Sequence, residues 1–252
     1  QDAINSERTI KFIKEMITTI HKSDTRGFAD HGWLKSKHTF SFASYYDRSR
    51  THFGMLRVLN DDIVEGGMGF GTHPHDNMEI VSIPLSGSLE HKDSMGNIAV
   101  IKKGEVQIMS AGTGVRHSEY NHSKTEEVNF LQIWIFPKER NIKPRYDQKV
   151  ISDAEKKNEF LTVVLPDKDD NDAMWINQDA YFSLCKVDAG YEISYDVKIK
   201  GNGVYLFLIE GEVTVDGKEF GKRDGVGIED TERVLIKSKS DSYILAIEVP
   251  MN

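Results

Sequence analysis

The sequence predicts an all-β protein made of two similar barrels in tandem. Short runs of alternating or β-branched apolar residues, separated by Gly, Asn and Asp, recur from residue 16 to the C-terminus. No long amphipathic helical pattern competes with them, and a strand-turn-strand pattern in the first half recurs in the second. Barrels of about eight strands leave room inside for one small ligand or ion.

The first elements of the chain differ from the rest. Residues 1–20 are predicted to be a polar N-terminal extension, of which residues 1–15 are either native or an added leader before Met16. The clearest strands follow at residues 78–83 and 129–136. A barrel spanning residues 21–145 accounts for this half of the chain.

A short helix is predicted near the middle of the chain. Residues 152–158 begin with Ser152 and Glu155 at capping-box spacing, just after the proline-bounded stretch 137–144. Strands follow at residues 204–209 and 243–247. The second barrel is therefore predicted to span residues 146–252.

The two halves share one design. The pattern around Gly87 (residues 82–90) is repeated around Gly211 (residues 206–217). Each is followed by a glycine-containing segment predicted as a hairpin, at residues 103–108 and 224–228. Two copies of one antiparallel barrel explain this repetition.

Composition excludes several function classes. The net charge of −8, from 32 Lys and Arg against 40 Asp and Glu, argues against direct nucleic acid binding. The longest uninterrupted apolar run that we find, residues 204–209, is far shorter than the roughly 20 residues of a membrane helix. The single cysteine, Cys185, cannot form an intramolecular disulfide. We expect a cytoplasmic protein without membrane contact.

Histidine is distributed unevenly, since all 9 histidines lie within residues 21–122. Two pairs have the i, i+2 spacing that places both side chains on one face of a strand. Two such strands facing one another would supply three imidazoles and a carboxylate, a set that suits Fe, Mn, Co, Ni, Cu or Zn. The predicted metal ligands are His73, His75, His117 and Glu119. The second barrel, which lacks histidine, is predicted to hold no metal.

The same residues carry a family resemblance. Gly67, His73, His75, Glu79 and Gly87 match the first cupin motif. Gly104, Gly112, His117 and Asn121 match the second, with two extra residues before its histidine. Within the cupins, the chain resembles the pirin family and its bacterial quercetinase-like branch. The segments that carry this resemblance are 26–34, 38–47, 70–75, 93–97 and 109–121.

The resemblance implies a bicupin, with two tandem jelly-roll-like cupin barrels of which the C-terminal one has lost its metal. It places the ligands on His73, His75, His117 and Glu119, and it implies that Glu79, a ligand in many other cupins, is not one here. It also implies a monomer with one divalent metal, Fe(II) being the expected ion, and with Zn, Mn, Co, Ni and Cu as alternatives.

The resemblance further implies a metal-dependent dioxygenase like quercetin 2,3-dioxygenase. Such enzymes open the flavonol heterocycle with O2 and release carbon monoxide, so the expected substrates are a small flavonol-like aromatic and O2. Glu119 is our candidate for the catalytic base that accepts the proton of the flavonol 3-hydroxyl. The side chains of Phe40, Phe42, Tyr45, Tyr46, Met55 and Arg57 either line the approach to the metal or belong to the core.

Two other functions remain open at this point. Eukaryotic pirins resemble redox-responsive cofactors, which implies a non-enzymatic sensor whose metal controls binding to a protein partner, either a transcription factor or a metabolic enzyme. A cupin isomerase without redox change is the third alternative.

Overall fold

The computed structural model describes residues 16–151 and 157–252, and most of these residues lie in β-strands. The helical element within those ranges is a single 3-10 turn, Ser23–Thr25. The all-β prediction is confirmed. The helix predicted at residues 152–158 falls mainly on residues 152–156, outside the described residues.

The described residues form twenty-two strands. Those of the first half are β1 (Ile17–His21), β2 (Gly27–Asp30), β3 (Leu34–His38), β4 (Leu56–Val64), β5 (Gly69–His75), β6 (Glu79–Ser86), β7 (Ser88–Asp93), β8 (Ile98–Lys102), β9 (Glu105–Ser110), β10 (Val115–Asn121), β11 (Val128–Ile135) and β12 (Arg145–Val150). Those of the second half are β13 (Leu161–Leu165), β14 (Met174–Trp175), β15 (Tyr181–Val187), β16 (Glu192–Asp196), β17 (Asn202–Glu210), β18 (Glu212–Val215), β19 (Lys218–Gly221), β20 (Gly225–Glu229), β21 (Arg233–Ser238) and β22 (Ser242–Pro250).

Each barrel consists of a seven-stranded sheet and a four-stranded sheet. In the first barrel the orders are β12-β9-β6-β11-β4-β3-β2 and β5-β10-β7-β8. In the second they are β1-β20-β17-β22-β15-β13-β14 and β16-β21-β18-β19. The predicted internal repeat is therefore present in three dimensions, with β6, β11 and β4 corresponding to β17, β22 and β15.

Two strands, β1 and β12, lie near the predicted boundaries of the two barrels. β1 comes mostly from residues predicted as an extension, yet it pairs with β20 in the large sheet of the second barrel. β12 begins at the predicted boundary after residue 145 and pairs with β9 in the first barrel. Each barrel is thus completed by a strand near the predicted segment boundaries.

The glycine turns connect different sheets, which corrects the hairpin prediction at residues 103–108. Gly87 (φ 70°) and Gly211 (φ 93°) have left-handed backbone conformations at which the chain passes from a large sheet to a small one. At Gly104 the chain likewise passes from β8 in the small sheet to β9 in the large sheet. These turns are corners of the barrels, because the chain leaves one sheet there and enters the sheet that packs against it.

The main core lies between the two barrels, where the large sheets pack back to back. Its fully buried side chains come from both halves and include Leu59, Val81, Ile133, Leu184, Phe207 and Leu245. Because strand residues alternate between faces, the other faces of these sheets line the two barrel interiors. Among the described residues, no helix has the length and apolar character needed to span a membrane.

Candidate metal centre and its cavity

Neighbouring strands β5 and β10 bring three histidines together inside the first barrel. They are antiparallel, with His117 directly opposite His73 and Val115 opposite His75. The two strands are adjacent in one sheet, which corrects our expectation that they face one another across the barrel. A direct antiparallel pairing places the side chains closer than an opposed pair of sheets would.

The three imidazoles form a compact cluster. Their ring centroids are 4.5 to 4.9 Å apart, and their nitrogens lie within 4.8 Å of one another. His73 Nε2 and His117 Nε2 are separated by 3.0 Å. Two adjacent ligands about 2.1 Å from one ion are also about 3.0 Å apart, so the cluster fits a single metal ion.

The protonation state of the cluster also suits a metal. The Nδ1 atom of His73 donates a hydrogen bond to the Gly71 carbonyl at 2.8 Å, which leaves the Nε2 lone pair available. Burial lowers the pKa of His75 to about 4, with the neighbouring His73 adding to the effect. Burial lowers the pKa of His117 as well, and the neighbouring His73, His75 and His91 add to the effect. Neutral imidazoles are the form that binds metals.

Glu119 lies two residues after His117, beyond a register shift in the pairing of β10 with β5. Its carboxylate is buried and accepts hydrogen bonds from Gln132 Nε2 at 2.7 Å and Ser82 Oγ at 3.3 Å. Burial raises the pKa of Glu119 to about 7, against the opposing effect of these two hydrogen bonds. The barrel interior therefore holds a carboxyl group that takes up or releases a proton near neutral pH.

A further pair beside the cluster was missed by the sequence analysis. His91 and Asp93 lie on β7, where His91 is opposite Glu119 and Asp93 is opposite His117. The His91 Nε2 atom is 2.9 Å from the Asp93 carboxylate, and a ligand atom of His91 lies within 4.8 Å of both His117 and Glu119. The signal was present in the sequence, because His91 and Asp93 repeat the His-x-acid spacing of residues 117 and 119.

Glu79 lies on the opposite face of β6 from Ser82. Its Oε2 atom accepts hydrogen bonds from Ser110 Oγ at 2.7 Å and from the backbone N–H of Asn177 at 3.2 Å. Asn177 belongs to the second half of the chain, so Glu79 joins the two barrels.

The glycine-rich segment before the histidines allows close strand contact. Gly69 lies against β10, where a Cβ atom at this position would be 2.5 Å from the Tyr120 Cα. Any side chain at residue 69 would therefore push β5 away from β10. The segment serves strand packing beside the predicted metal ligands, as its composition indicates.

A cavity of about 510 Å³ opens beside His73 and His75. This volume is within the roughly 300–1,000 Å³ typical of small-molecule sites. The cavity is lined by Ala29, His31, Leu34, Ser36, His38, Phe42, Ala43, Ser44, Asn60, Asp62, Phe70, His73, His75, Glu119, Gln132 and Trp134. The cluster of imidazoles therefore faces a space large enough for an aromatic ligand.

The six side chains considered as lining from the sequence divide between the cavity and other roles. Phe42 lines the cavity. Phe40 is buried in the core between the barrels, against which Met55 also packs. Tyr45 stacks on His38, and Tyr46 is exposed. Arg57 donates hydrogen bonds to backbone carbonyls.

Comparison with known proteins identifies both halves. Residues 20–135 match the family described as Pirin, and residues 162–249 match the family described as Quercetinase C-terminal cupin domain. These two matches cover most of each barrel.

Individual relatives match over nearly their whole length. A quercetin 2,3-dioxygenase from Escherichia coli K12 is 42% identical over 231 residues, covering 92% of this chain and 98% of the relative. A pirin-like protein from Caulobacter vibrioides is 39% identical, covering 89% and 96%. The crystal structure of the E. coli bacterial pirin YhhW in complex with nickel(II) superimposes with a TM-score of 0.87 at 41% identity, covering 93% of this chain and 99% of that one.

Proposed function

The chain belongs to the pirin family of bicupin proteins, and from this premise we propose that it is a metal-dependent dioxygenase that opens a flavonol ring with O2, as quercetin 2,3-dioxygenases do. The observation that carries the proposal is the cavity of about 510 Å³ beside three clustered imidazoles and a buried carboxyl group. A purely structural metal site would not need an adjoining cavity.

We assign the metal to His73, His75, His117 and Glu119. The imidazole spacing, the tautomer of His73 and the depressed histidine pKa values support this assignment. The donor set accepts Fe(II), our expected native ion, as well as the nickel named in the structure of the E. coli relative. When bound, the metal would acidify the flavonol 3-hydroxyl and supply the redox chemistry for O2.

Glu119 is proposed to accept the proton of the 3-hydroxyl. A pKa of about 7 suits a general base that works near neutral pH. Gln132 and Ser82 each donate a hydrogen bond to one oxygen of the carboxylate, which limits its rotation. These contacts make Gln132 and Ser82 positioning residues for the proton transfer.

The aromatic wall of the cavity is proposed to hold the flat substrate and exclude water. Trp134 packs edge-on against His75 at 5.0 Å and against Phe42 at 5.3 Å. This contact places an apolar surface directly beside a metal ligand, where water would compete with O2 and with the substrate.

Metal analysis followed by oxygen uptake tests this function. Protein purified without added metal is analysed for bound ions, and iron-loaded wild type and His75→Ala are then assayed with quercetin. We expect one metal per chain in wild type and at least about a 100-fold loss of uptake in His75→Ala, which removes a ligand. His122→Ala is the matched control, because His122 is exposed and pairs with Glu90 outside the cavity.

The outcomes separate the functions. Metal bound at one equivalent with uptake that depends on His75 would support the dioxygenase. Metal bound at one equivalent without uptake would overturn it in favour of a metal-dependent binding or sensing protein.

A further inference from the structure

The cavity wall formed by the large sheet carries a row of polar side chains. Across β11, β4 and β3, Gln132 is opposite Asn60 and Asn60 is opposite His38. Two residues along, Ser36 is opposite Asp62. These five side chains share the inner face of the sheet and line the cavity. The histidine cluster lies on the other sheet, so the cavity has two polar walls.

The hydrogen bonds within this row leave acceptors directed into the cavity. The Nδ1 atom of His38 donates to Asn60 Oδ1 at 3.0 Å, so its Nε2 atom keeps a lone pair. The hydroxyl of Ser36 donates to Asp62 Oδ1. Within residues 16–151 and 157–252, neither His38 Nε2 nor Asp62 Oδ2 has a hydrogen-bond partner. Yet the exposed fractions of these two residues are only 3% and 4%.

Acceptors of this kind select a particular ligand chemistry. A lone pair on His38 and a carboxyl oxygen on Asp62 are satisfied by O–H donors, whereas a carboxylate or phosphate ligand offers neither of them a proton. Leu34, Phe42 and Phe70 line the cavity as well, so the ligand body is apolar or aromatic. The matching ligand is an aromatic molecule with hydroxyl groups remote from its metal-binding oxygen.

We propose that His38 and Asp62 form a second binding point, which accepts hydrogen bonds from the outer-ring hydroxyls of the substrate. The inference rests on the proposed function insofar as it places a flavonol between the two walls. It makes the substrate a polyhydroxylated aromatic, because a flavonol with the 3-hydroxyl alone would leave two buried acceptors without partners.

Equilibrium binding tests the second binding point without turnover. The probes are quercetin and 3-hydroxyflavone, which keeps the metal-binding hydroxyl but lacks the outer-ring hydroxyls. Binding to nickel-loaded protein under argon is followed by quenching of tryptophan fluorescence, since Trp134 lines the cavity. We expect wild type to bind quercetin about 100-fold more tightly than 3-hydroxyflavone, because two hydrogen bonds to charged or buried groups contribute about tenfold each.

Two variants and one control separate this role from general stability. Asp62→Asn and His38→Phe are each expected to weaken quercetin binding about tenfold and to leave 3-hydroxyflavone binding unchanged, which also shows that the cavity is intact. Asp61→Asn is the matched control. Asp61 lies on the other face of β4, where it pairs with Arg223, and its substitution should alter neither affinity.

Each outcome bears on one proposal or on both. Equal affinity of wild type for the two flavonols, or an equal loss for both in Asp62→Asn and His38→Phe, would overturn the second binding point. A reduced quercetin preference in each of these variants, with no oxygen uptake by wild type, would overturn the dioxygenase and leave the binding point standing. Failure of both flavonols to bind would overturn both.

Discussion

The two barrels have the same strand order, but the interior of the first is hollow and that of the second is filled. The first contains a cavity of about 510 Å³, whereas the pocket found inside the second measures about 10 Å³. Ser82 lies five residues before Gly87, and Leu206 lies five residues before Gly211. In the sheets, Ser82 pairs with Gln132, and Leu206 pairs with Ala246. A polar row in one barrel is therefore an apolar row in the other.

In the small sheets too, polar residues of the first barrel are replaced by apolar or aromatic residues in the second. His73 opposite His117 in the first barrel corresponds to Tyr195 opposite Val234 in the second, and both of these residues are buried. The position of His75 is taken by Val197, which packs against the core of the second barrel. The fold is thus compatible with both a filled and a hollow interior, and the difference is made by the inward-facing residues alone. The hollow barrel buries less apolar surface in its own interior than the filled one does. The core between the large sheets supplies apolar burial in its place.

The largest expected effect concerns chemistry, which the comparison confines to the first barrel. Glu119→Gln should lower the rate of oxygen uptake with quercetin at least about 100-fold, because the amide cannot accept the proton. Metal analysis of the same variant should find much of the metal still bound by the three histidines. Glu126→Gln, at an exposed position of the same barrel, is the control. Full activity of Glu119→Gln would exclude it as the base.

The next effect compares the two interiors directly. Ile236→Ala should lower the free energy of unfolding by about 3 kcal/mol, because it opens a void in a filled core. Leu34→Ala should cost only about 1 kcal/mol, because Leu34 already borders the cavity and is 8% exposed. Urea unfolding of both variants measures these values. Equal losses would mean that the two interiors are packed alike.

The smallest effect concerns the contact between the barrels. Burial raises the pKa of Glu79 to about 7 in the folded protein, above its ordinary value of 4.5. The folded state therefore holds this proton more tightly than the unfolded state. The stabilisation that results is present below about pH 4.5 and is lost as the pH rises through 7.

Glu79→Gln removes this dependence. Between pH 5 and 7 the free energy of unfolding of wild type should fall more steeply than that of the variant, by up to about 1.4 kcal/mol per pH unit. Urea unfolding across this range measures the two slopes, with the exposed Glu139→Gln as control. Parallel slopes for wild type and Glu79→Gln would contradict a raised pKa.

Much of the candidate site could be predicted because strand alternation is local. The i, i+2 spacing of His73 and His75, and of His117 and Glu119, directs each pair to one face wherever the strand lies. The wider set was not predictable in this way. Ser36, Asn60 and Gln132 are unremarkable in the sequence, and they line the cavity only because β3, β4 and β11 pair in one register.

The sequence by itself determined that the chain is all-β, that its two halves repeat one design and that histidine chemistry is confined to the first half. These properties depend on composition and on a two-residue periodicity, which neighbouring residues set among themselves. Only the tertiary structure decided that β5 and β10 are neighbours, that the glycine turns are corners between sheets, and that His38 and Asp62 face the histidine cluster. Strand partners and registers depend on long-range packing, in which each sheet buries its apolar face against another.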